Sequence, residues 1–494
     1  MATGLLSTRE FNVSKREKFS EWYNTVIYAA DLVDSRYNVQ GFLVHKPWAT
    51  RLIRGLYSLF EPELEKDGHE PVVFPTVIPK ENFELEKEHV AGFVPQVFWV
   101  TRGGEEEFAR PLALRPTSET AFYQMFALWI RSPADLPLKL YQSCSVFRYE
   151  HETLPFLRGR EFLWIETHDV FATEKEARAQ LLIDSAIATR VLTEKLGIPL
   201  MAFLRPQWDR FPGGLETVAY DVLMPDGKIN QVGSTHILGQ NFTKAFGVKW
   251  TGGDGKEQFP WSTCFGPGIW RMAGALVSVH GDDKGLILPL PVAPVQVVIV
   301  PILKSEEKRK EVLDYCLNLQ GHLRTHGLRA KVDDSNKSPG FKYNYWELKG
   351  VPLRIEVGER EVAQNKITIV RRDTREKLVA ESAHAFKHVE EIGAKILDSL
   401  RAKAEAELKE RITTSATDKR QVKAALDSKG GFVRVAFCSI AMDGEPCARE
   451  LQEFTQGGKV RGHLLNKKEK PDASEKCVVC GKKAHEIAYV AKQY

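Results

Sequence analysis

Apolar and polar positions along this chain fall into blocks whose rhythm changes near residue 290. Trp48, Leu52, Ile53, Leu56, Leu59 and Phe60 recur at helical spacing on one face. Pro47 suits the first turn of that helix and Gly68 its stop, so a helix is expected over 47–67. Val72-Val-Phe-Pro-Thr-Val-Ile-Pro79 is rich in β-branched residues and reads as a strand. Further short strands are expected at 111–114, 140–150, 161–167 and 276–279, and a charged amphipathic helix over 174–197, closing at Gly197. These strands follow one another with few helices between, which favours an antiparallel sheet over repeated βαβ units.

Residues 285–303 carry no charge, the length of a marginal membrane span. Pro289, Pro291, Pro294 and Pro301 would be tolerated poorly in a spanning helix, so a linker leading into a buried strand over 295–300 is the better reading, with no membrane association. Beyond it the pattern becomes strand 295–302, helix 306–326, strand 328–333, helix 340–349, strands 352–357 and 366–371, and helix 383–400, as in a small α/β domain. The last helix continues through Arg401–Arg411 as a solvated connector. The expected class is therefore a mixed α+β and α/β multidomain protein, divided at 1–288, 289–403 and 404–494. No internal repeat is visible.

Composition narrows this picture in three ways. With 494 residues, 43% hydrophobic and 27% charged, the chain is an ordinary globular protein of about three domains, not a disordered or fibrous one. The net charge, 69 − 65 = +4, is unevenly spread: residues 461–483 hold seven Lys or Arg against three Asp or Glu. The first 22 residues contain no apolar core of a secretory signal, so a cytoplasmic location is expected. Seven cysteines, an odd number without a signal, argue against a disulfide framework. Cys438, Cys447, Cys477 and Cys480 instead have the spacing C-x8-C-x29-C-x2-C, and Gly481 completes a knuckle after the last pair. Four thiolates suit a closed, structural Zn2+ site.

Three segments carry candidate chemistry. Arg115-Pro-Thr-Ser-Glu-Thr120 falls at a strand-to-helix junction. Phe147-Arg-Tyr-Glu150, a loop and Phe156-Leu-Arg-Gly-Arg-Glu-Phe-Leu-Trp-Ile-Glu166 read as an antiparallel hairpin, with Arg148 and Glu150 on one strand face and Arg158 and Arg160 at the loop's end. Gly266-Pro-Gly-Ile-Trp-Arg271 is followed by an apolar helix leading to His280-Gly-Asp-Asp283. Arginines grouped in a sheet cavity suit bidentate phosphate binding, and Arg271 adds a fourth. One Phe-Arg-x-Glu alone is more often a surface ion pair; the three segments in this order make the phosphate site the stronger reading.

That order resembles motifs 1, 2 and 3 of class II aminoacyl-tRNA synthetases. The segment 115–120, the run Pro155–Trp164, Gln231-Val-Gly-Ser-Thr-His236, Leu238-Gly-Gln-Asn-Phe242, His280–Gly285 and Trp346–Pro352 resemble the prolyl-tRNA synthetase family of the archaeal and eukaryotic type. The resemblance implies an antiparallel catalytic sheet flanked by helices, an α/β anticodon-binding domain and a zinc-binding α+β tail. It also implies a homodimer formed through the helix 47–67 and the strand that ends near Pro75.

It implies that Arg148 meets the ATP α-phosphate and the prolyl carboxylate, Glu150 the adenine amino group, Arg158 and Arg160 the terminal phosphates, and Arg271 the γ-phosphate. Gln231 and Ser234 would also contact ATP; Ser234 stands where the family usually has Thr, and keeps the hydroxyl. Thr117 and Glu119 would hold the proline nitrogen, His236 would touch the pocket, and Trp164 and Phe211 would wall it. Glu347, Lys349 and Arg354, around Trp346, are the anticodon candidates. The implied reaction joins L-proline to tRNA(Pro) at a 3′-hydroxyl through prolyl-adenylate, with Mg2+ accompanying ATP and no editing insertion in cis. Motif 3 departs from the usual pattern: Ile269 and Trp270 stand where a hydroxyl residue often precedes the arginine. A tRNA-binding paralogue without charging activity, or a ligase acting on a free amino acid, would share parts of this pattern.

Overall fold

The computed structural model describes residues 11, 13–85, 96–252, 254–303, 305–467 and 469–494. Half of the residues read above for a leader segment, 1–10 and 12, lie outside the described residues.

An eleven-stranded sheet runs through the molecule. Its order is Ile412–Thr413, Phe432–Phe437, Glu486–Ala491, Lys459–Leu464, Met201–Leu204, Glu216–Leu223, Ile229–Gly239, Trp261–Pro267, Glu161–Phe171, Leu138–Phe147 and Glu70–Pro71. Pairing is antiparallel except at the two ends, where Glu70–Pro71 and Ile412–Thr413 pair in parallel. The strands of the C-terminal region join the catalytic ones through His463↔Leu204 and Leu464↔Phe203, so one sheet crosses both regions. The helices Pro47–Lys66, Glu174–Thr189 and Ile269–His280 cover it, and their apolar sides close the main core.

The expected helix at 47–67 forms as Pro47–Lys66, with Pro47 in its first turn and Trp48, Leu52, Ile53, Leu56 and Phe60 buried. Past its end, Gly68 has φ +85°, a left-handed turn that glycine adopts without strain. The expected helix 174–197 opens on a Thr173–Glu176 capping box and is α-helical to Thr189, then widens into a π turn over Arg190–Lys195.

Several sequence expectations need correction. The run 72–79 is not one strand: Glu70–Pro71 and Val77–Pro79 are short strands in different sheets. Pro71, Pro75 and Pro79 have no N–H to give a ladder, so pairing cannot run through. The run 276–279 is helical, the end of Ile269–His280. That helix is buried nearly all round, so four apolar residues there carry no period that separates helix from strand. The strand before motif 2 stops at Phe147 rather than 150. Arg148 and Glu150 therefore do not share a strand face; the Glu150 N–H turns back to the Arg148 carbonyl at 2.8 Å.

The α/β region has five strands in the order Ala330–Val332, Val297–Ile302, Leu353–Gly358, Lys366–Arg371 and Lys377–Glu381. The first three are parallel and the last two antiparallel. Lys377–Glu381 has no counterpart in the sequence reading, because its side chains are mostly exposed and its ends charged. The connector is a single helix, Ala385–Glu410. The proline-rich 285–296 is packed rather than loose, with Leu286, Leu288, Val292 and Ala293 buried. Among the described residues no helix is long and apolar enough to cross a membrane.

Two charged contacts, one half-buried and one fully buried, lock these regions together. The Arg372 guanidinium donates to both Asp282 carboxylate oxygens, at 2.8 and 2.6 Å. Arg461 makes a bidentate pair with Asp221, both bonds 2.8 Å, and neither side chain reaches water. Burial pushes the Asp221 carboxyl up to about 6, against the pull of nearby Arg205. Removing one partner of such a pair leaves an uncompensated charge and costs about 3–5 kcal/mol. Thermal unfolding of Arg461→Ala is therefore expected to show a loss of about 3 kcal/mol, softened by Arg205 at 3.4 Å from Asp221.

Candidate active site

The site begins where strand Glu106–Leu114 leaves its sheet. Arg115 is buried, and its guanidinium donates to the carbonyls of Ser145 at 2.8 Å and Phe74 at 3.0 Å, pinning the turn that follows. Thr117 and Glu119 then face a cavity of about 310 Å³. Glu119 opens helix Glu119–Trp129, where the helix dipole favours a carboxylate. It accepts from Thr117 Oγ1 at 2.5 Å, and Cys264 Sγ lies 3.7 Å from its other oxygen.

His236 comes from strand Ile229–Gly239 and stacks on Phe211, with ring centroids 4.5 Å apart. Its two ring nitrogens meet the hydroxyls of Thr217 and Ser234, both at 2.9 Å. Burial, reinforced by the charges of Arg148 and Arg205, holds its pKa down to about 3. The ring is therefore neutral at physiological pH, one nitrogen a donor and the other an acceptor.

Arg148 donates from Nε to the Pro116 carbonyl at 3.1 Å, and its guanidinium lies over Phe162 and Trp164 at 5.3 and 5.7 Å. Burial lowers its pKa, opposed by Glu119, Glu150 and Glu166. Arg271 donates to the carbonyls of Leu157 at 3.1 Å and Gln231 at 3.0 Å. Burial, then repulsion from Arg148 and Arg158, brings it down to about 10, so it stays charged at neutral pH. Arg158 sits 3.9 Å from Glu150.

Thr117, Glu119, Arg148, Glu150, Arg158, Trp164, Phe211, Gln231, Ser234, His236 and Arg271 all line this one cavity. Arg160 does not. It donates to the carbonyls of Glu150 and Gln40, stacks over Tyr149 at 4.4 Å and packs on Gly41, so it braces the loop from behind. Alternate positions about Gly159 send Arg158 and Arg160 to opposite sides, which the sequence expectation did not separate.

Sequence reasoning passed over other lining groups: Arg205, Asp209 and Arg210, and the buried Glu166 and His168. The signal for the first three was present, since Arg205-Pro-Gln-Trp-Asp-Arg-Phe211 surrounds Phe211 with charge. Arg205 donates to Gln231 Oε1 at 2.8 Å, which turns the Gln231 amide so that its NH2 is the free donor. Glu166 accepts from Ser118, Gln142 and His168. Burial would raise the Glu166 pKa, but the bond from His168 and its charge lower it.

The anticodon candidates separate. Arg354 pairs with Glu347 at 3.0 Å and with Glu356, and lies 3.9 Å over the Tyr343 ring. Lys349 is buried, with Nζ donating to the Ala30 carbonyl at 2.8 Å in the contact with the catalytic region. Its ammonium is committed to that contact.

Sγ atoms of Cys438, Cys447, Cys477 and Cys480 lie within 4.8 Å of one another. Tetrahedral zinc with Zn–S near ~2.3 Å places its sulfurs ~3.8 Å apart, so the donor set fits that ion. Gly481, at φ +68°, lets its N–H reach the Cys477 carbonyl at 3.0 Å, while the Cys477 N–H reaches Lys482 at 2.8 Å. Replacing Cys477 with Ser is expected to abolish zinc retention by atomic absorption and to lower the unfolding temperature; full zinc content with native stability would contradict a metal site there.

An antiparallel sheet carrying clustered arginines over a cavity, with an α/β region packed beside it, defines a class II aminoacyl-tRNA synthetase. The described family "tRNA synthetase class II core domain (G, H, P, S and T)" matches residues 98–280, "Anticodon binding domain" matches 296–392, and "Prolyl-tRNA synthetase, C-terminal" matches 420–494. The chain is 52% identical over 490 residues to the proline–tRNA ligase of Thermofilum pendens, covering 99% of this chain and 100% of that one. It is 41% identical over 483 residues to that of Methanopyrus kandleri, covering 97% and 96%. Among solved structures it is similar to Giardia lamblia prolyl-tRNA synthetase in complex with prolyl-adenylate, with TM-score 0.93, 34% identity, and 98% and 100% of the two chains covered. The chain belongs to the proline–tRNA ligase family.

Proposed function

We propose that this chain activates L-proline with ATP and transfers the prolyl group to the 3′-end of tRNA(Pro), using the cavity around Arg148. The observation that carries this reading is that one cavity unites a carboxylate suited to a secondary ammonium, Glu119, with the cations Arg148, Arg158 and Arg271. Bound proline is a cation with two N–H donors; Glu119 and the Thr117 hydroxyl accept them. Phe211, Trp164 and neutral His236 wall the ring, which suits an apolar, uncharged face.

Arg148 holds the prolyl carboxylate against the α-phosphate. A carboxylate oxygen bonds to phosphorus as the bond to pyrophosphate breaks, and the fixed guanidinium offsets the charge that develops. Arg158 and Arg271 take the leaving phosphates, Glu150 accepts from the adenine amino group, and Gln231 and Ser234 give further polar contacts. Mg2+ would enter with ATP as part of the substrate and would help offset the charge of its phosphates. In the second step the terminal ribose 3′-hydroxyl attacks the prolyl carbonyl and AMP leaves. With His236 neutral and bonded at both nitrogens, positioning and charge stabilisation carry the rate, without a protein base.

The family and the anticodon-binding match support tRNA as partner, with Glu347 and Arg354 the candidates for anticodon contact. The four-cysteine cluster supports a structural Zn2+. A homodimer is supported by the exposed apolar side chains Val73, Leu128 and Trp129 around the segment after helix Pro47–Lys66. A cytoplasmic site of action goes with this function. The catalytic, α/β and tail regions are read as 1–288, 289–403 and 404–494.

The described residues of 172–260 form helices and strands of the catalytic region, which supports the absence of an editing module. Selection against smaller amino acids then rests on the pocket, at about 1–3 kcal/mol per methylene. Proline-dependent ATP–pyrophosphate exchange is expected to exceed the alanine-dependent rate by about 100-fold, with charging of tRNA(Pro) and no deacylation of alanyl-tRNA. Absence of exchange would favour a non-charging tRNA binder, and exchange without charging a free amino-acid ligase.

A further inference from the structure

Trp270 stands where motif 3 often carries a hydroxyl, and it lines the cavity while being only 1% exposed. Its one polar atom gives the substrate nothing: Nε1 donates to His45 Nε2 at 2.7 Å, and His45 does not line the cavity. The far edge of the indole lies instead on Gly159, at the end of the motif 2 loop. A Cβ at 159 would come within 2.5 Å of Trp270 Cη2 and 2.8 Å of Cζ3, so only glycine fits under the ring.

The same ring is part of a three-way aromatic cluster. Phe156 is 5.7 Å from Trp270 and 5.9 Å from His45, and His45 is 6.1 Å from Trp270, centroid to centroid. Phe156 has φ +61°, a backbone state that a bulky residue holds only when its surroundings impose it. One turn further along the same helix, a Cβ on Gly274 would lie 2.9 Å from the Phe156 carbonyl oxygen, so helix Ile269–His280 presses directly on the loop. His45 belongs to strand Val44–His45, just ahead of helix Pro47–Lys66. The cluster therefore joins the second and third catalytic segments to the start of helix Pro47–Lys66 at one point.

Arg158 needs such support. Its side chain is 38% exposed and, among the described residues, its one carboxylate partner is 3.9 Å away, an arrangement worth little by itself. Its direction is set by the backbone at 158–159. We infer that Trp270 is a positioning residue for ATP: wedged against Gly159 and anchored by His45, it holds the Arg158 end of the motif 2 loop at a fixed distance from Arg271. The hydroxyl contact of the usual motif 3 is replaced by a rigid buttress.

This rests on Arg158 as a phosphate-binding residue, so the test includes a readout independent of catalysis. In Trp270→Ser, which restores the hydroxyl but removes the wedge, KM for ATP in the exchange reaction is expected to rise about tenfold, with KM for proline moving less than about threefold. Tryptic cleavage after Arg158, followed by mass spectrometry, is expected to accelerate about tenfold, because the loop end loses its support. Trp270→Phe keeps a ring in place and is expected to stay within about threefold of the native protein on both readouts. Gly159→Ala should reproduce the serine variant's defects, and adding Trp270→Phe should restore part of the loss by withdrawing the ring edge. Native cleavage together with an unchanged or lower KM for ATP in Trp270→Ser would overturn the inference. Should that variant not fold, the same native behaviour in Gly159→Ala would overturn it. A protein without exchange activity but with the expected protease responses would refute the catalytic reading alone.

Discussion

A guanidinium removed from water is costly unless carbonyls, aromatic faces and carboxylates replace the water around it, and the catalytic region is arranged around one such group. Arg148 has the Pro116 carbonyl at 3.1 Å, the rings of Phe162 and Trp164 on one side, and Glu119, Glu150 and Glu166 within electrostatic reach. Pro116 is placed by Arg115, whose own guanidinium ties the turn to Ser145 and Phe74. The rings stand on strand Glu161–Phe171, which pairs along its length with Leu138–Phe147. A cation fixed in this way needs no reorganisation when negative charge develops beside it, which is the physical content of electrostatic preorganisation.

The surrounding structure extends that rigidity outward. Gln231 is oriented by Arg205, Arg205 approaches Asp221, and Asp221 is clasped by Arg461 from a strand of the C-terminal region. On the other side, Asp282 follows the motif 3 helix and is gripped by Arg372 of the α/β region. These polar contacts between regions are thus charged and bidentate, fully buried at Asp221 and half-buried at Asp282. Such pairs give less net stability than an apolar contact would, and their geometric specificity is what they contribute here.

Much of this was legible in the sequence because it is local. The helix after Pro47 follows from a 3.6-residue rhythm; Thr117, Glu119, Arg148, Glu150, Arg158, Trp164 and Arg271 lie in three short motifs, whereas Phe211, Gln231, Ser234 and His236 come from the family resemblance. What failed depends on partners far along the chain or on details within a turn. The run 72–79 has strand-like side chains, but Pro75 and Pro79 within it and Pro71 just before it interrupt the ladder. Residues 276–279 are apolar in every direction because both faces of their helix are covered. Arg158 and Arg160 are the same residue type two positions apart, and only the packing of Gly41 and Trp270 sends one into the cavity and the other behind it. Lys349 read as an anticodon contact, whereas it reaches the Ala30 carbonyl more than three hundred residues earlier. The continuity of the sheet rests on His463 meeting Leu204, a pairing no local pattern encodes.

The central claim is that a planar, permanently charged group at 148 joins the amino-acid and nucleotide halves of the cavity. Arg148→Lys tests it most directly, because lysine keeps the charge and removes the fork. The account predicts a fall of about 100-fold or more in kcat/KM for proline-dependent pyrophosphate exchange, with a native unfolding temperature. A lysine variant within about threefold of the native rate would contradict it.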